Sequence, residues 1–333
     1  MIRAISYHLP ELCLTNQELA QLYPSWPADK IFEKTGIRTR HIAAPDETAS
    51  DLAALAARKL FAEHAIAPAS IEFLIFCTQS PDYCLPTTAC ALQHKLGVPS
   101  SAGAFDFNLG CSGYVYGLGI AKGLIAGGMA RRILLLTGDT YSKYIYPMDQ
   151  STRTLFGDGA SATLIEASDE PNGIGGFVFG TDGAGAGNLI VPASGARKVC
   201  ELPEQADGGV SSACPALPRQ LYMNGPAIFN FTLDVVPPAL EKVLQMNGLK
   251  MDNVDLFVFH QANKFMLEML RRKTRIPQDK FYVNIEDCGN TVSSSIPIAL
   301  ARAAADGTLK RGMRVVLVGF GVGLSWGATV ISW

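Results

Sequence analysis

An internal duplication constrains this chain more than any other feature of its 333 residues. The apolar run IEFLIFC, which begins at Ile71, resembles VDLFVFH, which begins at Val254, 183 positions later. ARRILLLTG from Ala130 and MRVVLVGFG from Met313 are separated by the same 183 positions. Two strand-like segments therefore keep one register, which is typical of a repeated structural unit.

A third pair of matching segments locates a difference between the halves. SATLI at 161–165 and GATVI at 327–331 are 166 positions apart. The first half therefore carries about 17 extra residues near 140–156. Strand-length runs alternate with helix-length segments in both halves, which favours parallel sheets with crossover helices, an α/β fold. The predicted units are residues 1–168 and 169–333, with an irregular surface insertion at about 194–219.

Composition and charge exclude several classes of protein. The 28 Lys and Arg residues nearly balance 30 Asp and Glu, a net charge of −2, so no basic field for nucleic acid is expected. No apolar run reaches the roughly 18 residues of a membrane span, and the first residues do not resemble a secretory leader. The eight cysteines show no CxxC or metal-type spacing. We expect a soluble, cytoplasmic protein with reduced thiols, no membrane contact and no metal site.

Cys111 is the strongest candidate nucleophile. It lies in FDFNLGCSGYVYGLG, where a predicted strand ends near Phe107 and a helix begins almost at once. A thiol at a helix N-terminus is expected to have a lowered pKa, because the helix dipole and free backbone N–H groups stabilise the thiolate. Gly110 and Gly113 permit a sharp turn. The alternative is that Cys111 is only a small buried apolar residue, as most free cysteines are.

Two residues of the second half are candidate partners of Cys111. His260 follows the predicted strand VDLFVF, at the edge where open α/β sheets place their sites. Asn290 lies in a turn before a helix of small residues, the counterpart of the Cys111 helix. Taken singly, His260 could be an ordinary helix cap and Asn290 an ordinary turn residue. The duplication, however, predicts that all three residues lie on the same side of their sheets.

Several ordered segments resemble one known family, the ketoacyl-ACP synthase III group of the thiolase superfamily. The resemblance implies a duplicated, five-layered αβαβα fold, a homodimer and a Cys-His-Asn site that matches Cys111, His260 and Asn290. It extends from near residue 2 to residue 331, apart from the insertion. The segments are TGIRTRHIAAPDETASDLA (35–53), FNLGCSGY (107–114), FGDGASAT (156–163), FHQAN (259–263), GNTVSSSIP (289–297) and GFGVGLSWGA (319–328).

The resemblance also implies a two-step reaction. Cys111 takes an acyl group from a CoA or phosphopantetheine thioester, and backbone N–H groups stabilise the tetrahedral oxyanion. Malonyl-ACP then loses CO₂, and the enolate is held by His260 Nε2–H and the Asn290 amide before it attacks the acyl-enzyme, as in fatty acid biosynthesis. No cofactor is required. The oxyanion donors are assigned to Cys111 and the loop residues Gly321, Val322 and Gly323.

Several positions depart from the family pattern. Val322 stands where the family has its oxyanion glycine. Lys30 and Gln150 replace the tryptophan and arginine that grip the adenine of CoA, and Lys34 replaces another CoA-contacting arginine. Asn263 retains the family pattern near the pantetheine arm. Leu85 matches the position that reaches across the dimer to close the acyl pocket, and Phe320 is a further substrate-binding position.

An acyl carrier protein is acidic, so its docking site is expected to be basic. Lys264, Arg271 and Arg272, on the predicted helix after HQAN, are the candidates, although they could equally form a solvated helix face. Phe265 occupies the position, one turn after the histidine, where the family has an arginine.

Two alternative functions remain open. A relative of specialised metabolism would use the same Cys111 to transfer an acyl group to an alcohol, an amine or another non-malonyl acceptor. A catalytically inactive binding subunit is less compatible with an intact Cys111, His260 and Asn290. The sequence does not identify the acyl donor.

Overall fold

The computed structural model describes residues 1–168, 173–196 and 219–333. The predicted insertion at 194–219 lies almost entirely outside the described residues, and it stays a prediction. The described strands, in chain order, are β1 Ile2–His8, β2 Leu12–Thr15, β3 Thr39–Ile42, β4 Phe73–Cys77, β5 Gly103–Phe107, β6 Arg132–Asp139, β7 Gly159–Glu166, β8 Ile174–Thr181, β9 Leu189–Ile190, β10 Tyr222–Met223, β11 Leu256–Phe259, β12 Arg314–Gly321 and β13 Ser325–Ser332.

Helices separate most of these strands. Thr15 with Glu18 and Thr48 with Asp51 form capping boxes at the starts of the first and third α-helices. The described α-helices are α1 Asn16–Leu22, α2 Ala28–Thr35, α3 Ala49–Glu63, α4 Thr88–Lys95, α5 Gly113–Ala126, α6 Gln150–Arg153, α7 Gly225–Met246, α8 Lys264–Lys273 and α9 Ser295–Ala305. None of the helices in the described ranges is long and apolar enough to cross a membrane.

Two sheets of similar topology reflect the duplication. The first has the order β1-β7-β6-β4-β5 and the second the order β11-β12-β13-β8. Strand β4 lies parallel to β6, and its counterpart β11 lies parallel to β12. In the second half the counterpart of β5 is reduced to a single bridge between Phe257 and Phe281.

The sheets are mixed, not purely parallel as the alternation predicted. β7 runs antiparallel to β6, and β13 runs antiparallel to β12. Only residues 322–324 separate β12 from β13, a connection short enough for a hairpin and far too short for a crossover. The outer strands β1 and β8, which the sequence did not predict, also pair antiparallel with their neighbours.

Five layers arise because alternate residues of each buried strand face opposite sides. In β6, Leu134 and Leu136 pack toward α3, whereas Ile133 and Leu135 pack toward α5 and α9. The strands of the second sheet cover the other face of α5 and α9, and α7 and α8 pack on its outer side. The order is helices, sheet, helices, sheet, helices, which confirms the predicted αβαβα fold.

Candidate active site

The candidate nucleophile and its two candidate partners line one cavity. Cys111 lies between β5 and α5, His260 directly follows β11, and Asn290 lies before α9. The cavity has a volume of about 160 Å³, and the polar side chains in its wall are few. Its lining residues are Cys111, Leu155, Phe156, Leu189, Met223, Gly225, Ile228, Phe229, His260, Ala262, Asn263, Met266, Asn290, Phe320 and Gly321.

The backbone lies close to the Cys111 sulfur. The N–H groups of Val322 and of Cys111 itself favour the charged form of the thiol and so act to lower its pKa. Gly321 approaches closely: a Cβ there would lie 2.8 Å from Cys111 Cβ and 2.9 Å from Sγ, and its φ of 153° disfavours any L side chain. The loop after β12 therefore meets the nucleophile with its backbone.

The predicted lowering of the Cys111 pKa is wrong for this structure. The side chain is 4% exposed, and burial raises the pKa of the Cys111 thiol to about 12. The N–H group of Val322 favours the thiolate, but it does not offset the cost of moving a charge out of water. The position of Cys111 at a helix start indicated a dipole that lowers the thiol pKa. It did not indicate how deeply the thiol is buried, and burial raises that pKa.

His260 is buried and held on one side by a hydroxyl. Its Nδ1 lies 2.7 Å from Ser295 Oγ, and its ring meets Phe320 edge to face with the centroids 5.5 Å apart. Burial lowers the pKa of the imidazole to about 3, so the ring is neutral at physiological pH. A neutral ring has one N–H donor and one acceptor nitrogen.

Asn290 is oriented by the backbone that follows it. Its Oδ1 accepts a hydrogen bond from the Val292 N–H at 2.9 Å, which leaves the side-chain NH₂ available to the cavity. Val292 has a φ of 53°, a left-handed conformation that β-branched residues rarely adopt. The Asn290 backbone also bonds to Leu155 and Gly157 of the first half. The amide is thus fixed from both halves.

The oxyanion loop accommodates the valine that replaces the family's glycine. Val322 is not among the described non-glycine residues with positive φ, whereas its neighbours have φ values of 153° at Gly321 and 138° at Gly323. The valine side chain packs beside Gly110, where a Cβ would lie 2.5 Å from Val322 Cγ1. Its backbone N–H still acts to lower the pKa of the Cys111 thiol.

Sequence reasoning missed a buried network behind the site. Asp139, at the end of β6, accepts hydrogen bonds from the Ser293 hydroxyl and, at 2.8 Å, from the Gln79 N–H. Burial raises the pKa of this carboxyl to about 7. The GD dipeptide that ends the strand is the sequence feature that could have drawn attention to it. The sequence does not distinguish Ser295, because it is one of three consecutive serines at 293–295.

The predicted substrate-binding residues divide into two groups. Asn263 and Phe320 line the cavity, and Asn263 Oδ1 also caps α8 by accepting from the Met266 N–H at 2.8 Å. The others lie outside the cavity wall. Lys30 and Lys34 approach the Trp26 ring at 5.6 and 5.5 Å from its centroid, Gln150 begins α6, and Leu85 is 82% exposed in this single chain.

The predicted carrier-docking residues are only partly free. Arg271 and Arg272 both pair with Glu268, at 2.7 and 2.6 Å, so much of their charge is neutralised within α8. Lys264 packs over Gly36, next to α2. The spacing of charges along the sequence did not reveal that one carboxylate would hold both arginines.

An aromatic pair stands beside the cavity. Phe265, which replaces the family's arginine, is 58% exposed and stacks on Phe229 with the ring centroids 5.7 Å apart. Phe229 belongs to the cavity wall. This flank of the site is therefore apolar where the family pattern is basic.

Comparisons with known proteins agree with this geometry. The family described as 3-oxoacyl-(acyl-carrier-protein) synthase III matches residues 105–183, and its C-terminal part matches residues 244–333. A curated relative from Caldanaerobacter subterraneus subsp. tengcongensis, a beta-ketoacyl-(acyl-carrier-protein) synthase III, is 36% identical over 98% of this chain and 95% of its own length. The chain belongs to the 3-oxoacyl-(acyl-carrier-protein) synthase III family.

Solved structures of the synthase III family have the same fold. A 3-oxoacyl-(acyl-carrier-protein) synthase III at 56% identity matches with a TM-score of 0.94 over 100% of this chain and 99% of that chain. A 3-oxoacyl-(acyl-carrier-protein) synthase from Burkholderia xenovorans, 37% identical, matches with a TM-score of 0.92 over 99% and 93%. The thiolase-like fold and membership of a family of acyl-transferring condensing enzymes are thereby confirmed.

Proposed function

We propose that this synthase III family member transfers an acyl group to Cys111 and then condenses it with malonyl-ACP, with loss of CO₂, in fatty acid biosynthesis. The observation that supports this most strongly is the cavity in which Cys111, His260 and Asn290 meet. These are a nucleophile and two neutral polar groups, the set that thioester transfer followed by enolate formation requires.

In the first step, the Cys111 sulfur attacks the carbonyl carbon of the donor thioester. The N–H groups of Cys111 and Val322 stabilise the oxyanion. When the tetrahedral adduct collapses, the new carbon–sulfur bond remains, and the donor thiol departs with the proton that Cys111 loses. The raised pKa of the buried thiol means that little thiolate exists before a donor binds. The Cys111 thiol therefore loses its proton only as it attacks the donor carbonyl.

In the second step, the malonyl carboxylate leaves as CO₂ and its bonding electrons form an enolate. His260 and Asn290 donate hydrogen bonds to the enolate oxygen, and a neutral His260 suits this role because it retains one N–H. The enolate carbon attacks the acyl carbonyl, and Cys111 leaves as a thiolate that takes a proton from water. The product is a β-ketoacyl thioester on the carrier.

These steps use thioester substrates, side chains and backbone N–H groups, so the proposal includes no metal or redox cofactor. The donor is an acyl-CoA or an acyl carrier protein whose phosphopantetheine arm enters beside Asn263. Lys264, which packs over Gly36 beside helix α2, is the proposed basic contact for an acidic carrier. Because a thiol nucleophile must stay reduced, we also propose that the protein works in the cytoplasm.

We further propose that the active form is a homodimer. Strand β5 lies at the edge of the first sheet, and Phe105 and Phe107 on it are only partly buried in the single chain. An uncovered edge strand of this kind is suited to pairing with a second copy. Leu85, 82% exposed, would then pack into the partner.

Intact-protein mass spectrometry tests the proposed function. The protein is incubated with a panel of acyl-CoA and acyl-ACP donors, and malonyl-ACP is added after excess donor has been removed. We expect an acyl mass on the wild type, its disappearance with malonyl-ACP, and no acyl mass on Cys111→Ala. Cys288→Ala, which removes a buried cysteine that does not line the cavity, is the control and should behave as wild type. Discharge of the acyl group to an alcohol or amine but not to malonyl-ACP would contradict the proposal.

A further inference from the structure

The side of His260 that faces away from the cavity contacts the hydroxyl of Ser295. His260 Nδ1 and Ser295 Oγ are 2.7 Å apart, and both residues are buried. Ser295 is the first residue of α9, a helix that packs against both sheets. The hydroxyl is therefore presented to the imidazole from a rigid element and not from a loop.

The contacts of Ser295 indicate which way its hydroxyl points. The backbone N–H of Gln261 donates to the same Ser295 Oγ at 3.4 Å. Among the described residues, the one acceptor within hydrogen-bonding distance of the Ser295 hydroxyl is His260 Nδ1, so the hydroxyl proton is donated there. When Nδ1 accepts, the single proton of a neutral imidazole must be on Nε2, the nitrogen on the opposite side of the ring.

We propose that Ser295 is a positioning residue that holds His260 in the tautomer with its proton on Nε2. This inference rests on the proposed function, in which that N–H is one of the two donors to the enolate oxygen. Ser295 itself does not touch the substrate. It acts through the imidazole, as outer partners of catalytic histidines commonly do.

The second donor of the site is fixed in the same manner. Asn290 Oδ1 is held by the N–H of Val292, two residues along the chain, so that its NH₂ is left for the cavity. Asn290 and Val292 lie just before α9 and Ser295 begins it, so all three belong to the segment 290–295. One segment of the second half therefore orients both proposed donors, one directly and one through His260.

Nitrogen-15 NMR of histidine-labelled protein tests the tautomer without any substrate. We expect His260 to carry its proton on Nε2 in the wild type, with His260→Gln used to assign its signals among the five histidines. Ser295→Ala should add a population protonated on Nδ1, and Ser295→Thr, which keeps the hydroxyl, should resemble the wild type. Ser294→Ala is the matched control, because its hydroxyl contacts Thr137 and Gly159 but not His260.

Kinetics supply the second readout. Loss of one buried hydrogen bond predicts a roughly 10-fold lower kcat for malonyl-ACP decarboxylation in Ser295→Ala, with KM little changed. Acylation of Cys111 should stay within about 2-fold, since its oxyanion is held by backbone donors. Ser295→Thr should recover most of the lost rate.

A wild-type His260 with its proton on Nδ1, or a Ser295→Ala protein with unchanged tautomer and decarboxylation, would overturn the assignment. If Ser295→Ala fails to fold, the wild-type spectrum and Ser295→Thr still decide it. Failure of the wild type to condense with malonyl-ACP would refute the proposed function and leave the tautomer result standing.

Discussion

At the scale of single residues, the space around the Cys111 sulfur decides what its neighbours can be. Gly321 leaves no room for a side chain, whereas Val322 fits because its side chain turns toward Gly110. A valine in place of the family's glycine needs a backbone conformation that a β-branched residue can adopt. The structure supplies that conformation through the glycine on each side, Gly321 and Gly323.

We predict that Gly321→Ala loses acylation by about 100-fold or more, because displacing reacting groups by about 1 Å has effects of that size. The added Cβ would lie 2.8 Å from Cys111 Cβ and would force the loop and the nucleophile apart. The measurement is the rate of acyl mass gain. Gly123→Ala in α5, where a Cβ meets nothing within 4 Å, should leave this rate unchanged. Equal rates in both variants would show that the loop can shift freely.

The effects of His260 and Asn290 should separate by half-reaction. Both are proposed enolate donors, while acylation uses backbone donors, so His260→Ala and Asn290→Ala should still acquire an acyl mass on Cys111. Release of CO₂ from malonyl-ACP should fall by about 10²–10³ for each, the usual cost of losing an oxyanion donor. If acylation were lost while CO₂ release stayed normal, the assignment of His260 and Asn290 to the decarboxylation step would be wrong.

At the scale of elements, the sequence predicted where the strands and helices lie better than it predicted their electrostatic effect. The strand predicted to end near Phe107 is confirmed, because apolar runs act locally. β1 and β8 were missed. They are edge strands whose apolar residues are interrupted, by Arg3 and Ser6 in β1 and by Gly175 and Gly176 in β8, so their apolar patterns are weak. The burial of Cys111 at the start of α5 could not be predicted from local sequence, because it depends on β12, which comes some 200 residues later in the chain.

Alkylation of Cys111 tests the balance between the α5 dipole and burial. Since burial raises the thiol pKa to about 12, the thiolate fraction should rise about 10-fold for each pH unit between 7 and 10. We expect iodoacetamide labelling of Cys111 to follow that slope. At pH 7 the exposed Cys84 should react first. Peptide mapping by mass spectrometry at pH 7, 8 and 9 gives both rates. Labelling of Cys111 ahead of Cys84 at pH 7 would mean that the helix dipole outweighs desolvation.

At the scale of the whole molecule, the duplication brings the site together. Cys111 comes from the first half, His260 and Asn290 come from the second, and the Asp139 carboxylate joins the halves by accepting from Ser293. The 183-residue offset predicted this convergence, because equivalent strand ends of a repeated unit face the same way. It could not predict that Glu268 neutralises Arg271 and Arg272, since side-chain pairing depends on rotamers that sequence spacing leaves open.

The last prediction concerns which donor the whole molecule prefers. Lys30 and Gln150 replace the family's adenine-gripping tryptophan and arginine, and loss of an aromatic–base stack costs about 1–3 kcal/mol in single-strand binding. The nearby aromatic ring, Trp26, has the ammonium groups of Lys30 and Lys34 beside it. A carrier-bound donor avoids this loss, because its arm lacks adenosine and its acidic surface can contact Lys264.

We therefore expect kcat/KM for one acyl group to be higher on the carrier protein than on CoA. The double variant Lys30→Trp/Gln150→Arg should improve kcat/KM for the CoA thioester by about 5-fold or more and leave the carrier thioester nearly unchanged, since only CoA has an adenine to stack. Lys310→Trp, an exposed lysine after α9, is the control for adding a surface tryptophan. Efficient use of acetyl-CoA by the wild type, with no gain in the double variant, would contradict the preference: the two lysines would then hold the phosphates of CoA well enough to replace the missing stack.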